Sequence, residues 1–161
     1  MNTMRNVVKV LLAVIALLTF GGPGRSLEVQ DIDRVVGLLE KLSGDLGKLS
    51  YDGEAAEIWF EEDAMGAGRI EAAGYDLDSW KAALDATMKG YIAGMSQAQI
   101  DGAFARVPDF TGRTDMTDEQ KAVLSSMMAE HRAMIDRWRA EGAADAARVM
   151  PYTARIAAAL E

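Results

Sequence analysis

Residues 32–49 read IDRVVGLLEKLSGDLGKL. Ile32, Val35, Leu39, Leu42, Leu46 and Leu49 recur at intervals of 3, 4, 3, 4 and 3. An α-helix turns once in 3.6 residues, so this spacing gathers the six side chains into one apolar seam. Such a seam has to bury itself against other helices of the chain, or against a second copy. Gly44 and Gly47 weaken its second half, by about 1 kcal/mol each relative to alanine.

The rest of the chain repeats that theme. Residues 54–73 form a second expected helix, with Ala55, Ile58, Trp59, Met65 and Ile70 as its apolar side. Gly66 and Gly68 lie inside it and point to a kink or a close helix crossing, and Gly74 stands where a left-handed C-cap belongs. A third helix opens at Asp76, with Asp78 in its first turn, and carries Leu77, Trp80, Leu84, Met88 and Tyr91. Ser96 with Gln99, and Thr117 with Gln120, each fit a capping box that starts a helix. The fourth helix is short and ends before Pro108, and residues 108–115, PDFTGRTD, read as a loop. The fifth runs to about Gly142 with Leu124, Met127, His131, Met134 and Trp138 spaced 3, 4, 3 and 4. The alanine-rich residues 143–160 contain Pro151, which breaks or kinks a helix. Runs of strand-forming residues are missing after the first twenty positions. The expectation is an all-α fold of five or six helices in a compact bundle.

The N-terminus has a different character. Arg5 and Lys9 precede an apolar run of 11 residues, VLLAVIALLTF at 10–20, followed by GGPGRS. A helix needs about 20 residues to cross a bilayer, so the run reads as a secretory signal peptide over residues 1–26, cleaved near Ser26. Residues 27–161 then form a single helical domain in the periplasm or outside the cell. The alternative is an uncleaved anchor. No cysteine occurs, so the fold needs no disulfide in an oxidising compartment and carries no lipid on an N-terminal cysteine.

Without the leader the chain holds 14 basic and 25 acidic residues, a net of −11, because the leader contains Arg5, Lys9 and Arg25 and no acid. That balance repels phosphate backbones and argues against nucleic acid as a partner. The motifs GxSxG, HExxH and the P-loop are absent, which leaves no local sign of catalysis.

Two constellations remain. His131 is the only histidine, and with Met127 and Met134 it stands at i, i+4 and i+7 on one helix face. Thioether and imidazole together suit Cu(I), and a methionine and a histidine inside a bundle can hold haem. The competing reading makes all three the inner seam of a helix, since methionine is a flexible core filler. The seam is the leading reading, and a periplasmic copper or haem carrier the alternative. The second constellation is acidic: Asp52, Glu54, Glu57, Glu61, Glu62, Asp63, Glu71, Asp76 and Asp78. The twelve-residue calcium loop is missing, so a solvated face is expected, attracted to the arginines at 132, 137, 139, 148 and 155 within the fold or between subunits.

MSQAQ at 95–99 and MTDEQ at 116–120 resemble the LTxxQ boxes of small helical periplasmic chaperones of the Spy/CpxP family. Methionine replaces leucine in both, serine replaces threonine in one, and the 21-residue spacing is short for that fold. The resemblance implies a non-catalytic, cradle-shaped client binder. Elimination leads to the same expectation: an exported binding or interaction protein without catalytic activity or cofactor, chaperone-like or an envelope accessory factor, acting on a protein partner or through self-association.

Overall fold

The computed structural model describes residues 28–47, 49–105, 112 and 114–160. The expected signal segment and most of the loop at 108–115 lie outside the described residues. Among the described residues the secondary structure is entirely helical. The elements are α1 (Val29–Leu46), α2 (Ala55–Met65), α3 (Arg69–Ala72), α4 (Leu77–Gly94), α5 (Gln97–Ala105), α6 (Asp118–Gly142), α7 (Ala146–Val149), a 3₁₀ turn (Met150–Tyr152) and α8 (Thr153–Leu160).

The seam of residues 32–49 decides the packing, as its spacing predicts. α1 buries Ile32, Val35, Val36, Leu38, Leu39 and Leu42, a broader face than the seam alone. Each such side chain contributes about 1.5–3 kcal/mol when removed from water. The helix packs against α8, α4 and α7. It ends before the seam does. Gly47 takes a positive φ of 81°, Leu46 is left exposed, and Leu49 returns to the core outside the helix. The Leu49 amide donates to the Ala159 carbonyl at 3.4 Å, which joins the end of α1 to α8.

The expected second helix is two helices. Gly66 and Gly68 break it rather than kink it, and Gly68 adopts φ 59°. Asp63 organises the break. Its carbonyl accepts the amides of Gly66 (3.1 Å) and Gly68 (2.7 Å), and its buried carboxylate accepts the Ile70 amide at 2.7 Å. The break resets the helical phase, so the expected apolar side does not survive intact. Ala55, Trp59 and Ile70 are buried, whereas Ile58 and Met65 face solvent. Gly74 is the left-handed C-cap its position suggests, with φ 91°. The Tyr75 amide reaches the Ile70 carbonyl (3.2 Å) and the Gly74 amide the Glu71 carbonyl (2.9 Å), the bonding pattern of a Schellman turn.

α4 is the axis of the domain, in contact with α1, α2, α6 and α7. It starts at a capping box between Asp76 and Ser79 and buries Trp80, Leu84, Met88, Tyr91 and Ile92. Trp80 is fully enclosed, and its indole N–H donates to the Ala56 carbonyl at 2.9 Å. The approach to α6 and α7 depends on two glycines. A Cβ on Gly142 would lie 2.1 Å from the Lys89 carbonyl oxygen, and one on Gly90 would lie 2.8 Å from a Val149 methyl. The close crossing is therefore here and not at Gly66 and Gly68. Both remaining capping boxes form, Ser96 with Gln99 and Thr117 with Gln120. Pro151 falls in the 3₁₀ turn that separates α7 from α8.

Candidate functional site

α6 joins the core only by its C-terminal part. Ile135 and Trp138 pack against the core cluster, and Gly142 is buried at the crossing. Residues 118–134 contain no buried residue. Their inner edge, with Leu124 and Met128, is half-buried. On the other edge Val123 is 59% and Met127 47% exposed.

His131 is exposed, and this corrects the seam expectation. The spacing of Leu124, Met127, His131, Met134 and Trp138 is helical and apolar, but the core takes up only the Ile135, Trp138 and Gly142 portion of the helix. No other element covers His131 or Met127. The apolar stripe is longer than the domain that could bury it. Met134 is half-buried and shares a shallow depression with Glu130, His131 and Arg137.

The His131 ring has a defined orientation. Its Nδ1 lies 2.9 Å from the Met127 carbonyl oxygen, one turn back along the helix. A carbonyl only accepts, so Nδ1 carries the proton and donates. In the neutral ring, Nε2 is then the atom with the lone pair. Met127, His131 and Met134 span about 60° of the helix circumference at 3.6 residues per turn.

α5 lies beside α6 through polar contacts, with Ile100 its one buried residue. Arg132 donates to Asp101 at 2.7 Å and holds that carboxyl below the usual carboxylate range. Its guanidinium also stands 4.5 Å from the centre of the Phe104 ring. Arg139 donates to the Gln97 side chain (2.9 Å) and the Met95 carbonyl (3.3 Å).

The acidic stretch is dispersed in role. Asp63 and Asp76 cap helices, and Glu57 pairs with Lys81 at 3.1 Å. Glu54, Glu61, Glu62 and Glu71 are exposed. The expected attraction to the C-terminal arginines takes another form. Arg155 binds Glu40 (2.7 and 2.8 Å) and Asp33 (3.0 Å), both on α1, and Arg148 binds Asp145. Among the described residues no group of three or more histidines and carboxylates is placed to hold a metal ion, and no helix is long and apolar enough to cross a membrane.

A second cleft, of about 330 Å³, lies where the segment before α2 meets α4 and α6. Tyr51 donates to Asp85 at 2.8 Å, and its ring is 5.3 Å from that of Trp138. Lys89 bridges Asp85 (2.7 Å) and Glu141 (2.6 Å). Burial first, then the hydrogen bond to Asp85, push the Tyr51 phenol far above its ordinary pKa. Burial opposes the charge on Lys89, but the hydrogen bonds to Asp85 and Glu141 outweigh it and raise the pKa. Both groups therefore hold their protons near neutrality. The network fastens the chain before α2 onto α4 and α6. Sequence reasoning missed it because its members are far apart in the chain. The one local signal is the Asp85–Lys89 pair at i, i+4.

No family model matches the chain, and no curated protein and no solved structure gives a significant match.

Proposed function

We propose that this is an exported, non-catalytic binding protein that holds apolar, basic segments of non-native polypeptides on the outer face of α6. The reading rests on one observation: residues 118–134 contain no fully buried residue, and on their outer edge Val123 and Met127 stand open to solvent. Large exposed apolar side chains grouped on one helix are a usual mark of an interaction surface. Methionine suits a varied clientele, because its unbranched thioether adapts to different shapes. Charge selects the kind of client. The chain carries a formal net charge of −8, and Glu119 and Glu130 stand on the same side of α6 as Val123 and Met127, so a basic segment is attracted and an acidic one repelled. The leader pattern at residues 1–26 supports export to the periplasm or beyond, and the likeness of residues 95–99 and 116–120 to chaperone boxes points the same way.

The test is suppression of aggregation. A basic model protein is unfolded by reduction, and its light scattering is followed with and without this chain. The wild type keeps it soluble. Val123→Glu combined with Met127→Glu abolishes the effect without loss of fold, because both positions are exposed. Equal protection by the double variant would sink the proposal. So would concentration-dependent self-association that the same substitutions remove while clients remain unprotected, since the face would then serve a second copy.

A further inference from the structure

We infer that Met127, His131 and Met134 form a surface site for a soft monovalent cation, with Cu(I) as its natural occupant. It occupies the helix of the binding proposal but does not depend on it.

The geometry carries the assignment. A metal-binding imidazole is normally fixed by a hydrogen bond from its second nitrogen to a carbonyl or carboxylate, which sets the tautomer and aims the ligand nitrogen. His131 has that arrangement before any metal is present. Nδ1 donates to the Met127 carbonyl at 2.9 Å, so in the neutral ring the lone pair is left on Nε2, the nitrogen away from that carbonyl. The bond also tips the ring back over the turn of Met127. Helical side chains lean towards the N-terminus, so Met134, one turn beyond, leans towards His131. Met134 and His131 accordingly line the same depression. Met127 is 47% exposed and reachable.

The donor set chooses the ion. Two thioethers and one neutral imidazole are soft to borderline ligands and favour Cu(I) over the hard divalent cations. Mg²⁺ and Ca²⁺ need several oxygen ligands, and among the described residues no cluster of three or more carboxylates and histidines is placed to supply them. Zn²⁺ would find one imidazole and at most the Glu130 carboxylate, and lacks the thiolates or further imidazoles that complete its usual tetrahedron. A low charge also suits the surroundings. Glu130 and Arg137 flank the depression with opposite signs, so a single added positive charge meets little net field. Haem is the poorer occupant, because a helix face open to water gives the macrocycle no second wall.

Ag(I), a closed-shell soft cation that is stable in air, is the probe, titrated into the whole protein in chloride-free buffer. Cu(I) is then measured against a chromogenic chelator under reducing, anaerobic conditions. One equivalent of each should bind, and the ¹⁵N resonance of His131 Nε2 should shift while Nδ1 keeps its proton. His131→Ala, and separately Met127→Leu with Met134→Leu, should each weaken binding about tenfold or more, the loss seen even for outer partners of a ligand. His131→Ala leaves Val123 and Met127 in place, so it should still protect an unfolding client. Loss of metal and retention of client protection therefore separate this inference from the binding proposal. Unchanged affinity in either variant would overturn the site, because the ion would then sit on other methionines or on carboxylates. Absence of binding, or metallation at Nδ1, would overturn it as well.

Discussion

Replacing Gly142 with alanine adds one methyl group where the backbone of a neighbouring helix already lies. The new Cβ would stand 2.1 Å from the Lys89 carbonyl oxygen, 2.2 Å from its carbon and 2.7 Å from the Gly90 nitrogen. Carbon atoms in favourable contact are about 3.5–4.0 Å apart, so α4 and α6 must separate by more than about 1 Å. All three neighbours are main-chain atoms, and no side-chain rotation relieves the clash. Overpacking of this kind costs about 1–3 kcal/mol, and a rigid neighbour places it at the upper end. Alanine regains about 1 kcal/mol of helix propensity. The net loss is therefore about 2 kcal/mol. Gly37, in the interior of α1, gives the internal control, since nothing lies within 4 Å of its Cβ position. There the same substitution should stabilise by about 0.5–1 kcal/mol. Urea unfolding followed by far-UV circular dichroism measures both. A Gly142→Ala midpoint matching the wild type to within about 0.5 kcal/mol, the size of an ordinary surface change, would refute the close crossing.

Other outcomes follow from the same structure. Asp63→Ala leaves the buried Ile70 amide without its acceptor and should cost about 1–3 kcal/mol, while Asp63→Asn keeps an acceptor and costs less; the two unfolding midpoints decide this. Thr117→Ala removes the cap of α6 and about 1 kcal/mol of local stability. Because residues 118–134 do not pack in the core, the loss should appear as faster amide exchange there, with α1 and α4 unchanged. The Ser79 hydroxyl and amide hold the Asp76 carboxyl below its ordinary pKa. A depressed folded pKa means the contribution is complete above the unfolded value of about 3.9 and is lost as pH falls through the folded one. Acid titration of the urea midpoint should show this, and Asp76→Asn, which caps without titrating, should lose less stability between neutrality and pH 3 than the wild type.

Local chemistry accounts for what the chain reveals before folding. The α1 seam, the boxes at Asp76, Ser96 and Thr117, the left-handed Gly74 and the interruption at Pro151 each depend on neighbours within a turn or two. Features set by distant partners are not legible in that way. Gly66 and Gly68 look like a kink until the Asp63 carboxylate is seen to accept the Ile70 amide in the first turn of a new helix. Gly142 looks like a helix end, and only the position of Lys89 shows why no side chain fits. The Tyr51, Asp85, Lys89 and Glu141 network needs the fold to bring its members together. His131 is the most instructive case. An apolar stripe at helical spacing states what a face is made of, not whether anything covers it, and α6 outruns its core by more than three turns.

The open face of α6 is the central claim, and methionine methyl groups report on it directly. The chain has 10 methionines, among them Met88, which is 1% exposed in the core, and Met127 and Met134 on the outer helix. Methyl ¹³C spectra recorded while an unfolded basic polypeptide is added should show Met127 and Met134 shifting or broadening, with Met88 unchanged. Perturbation confined to the Tyr51 and Trp138 cleft, or no change at residues 127 and 134 while the client is bound, would contradict the account.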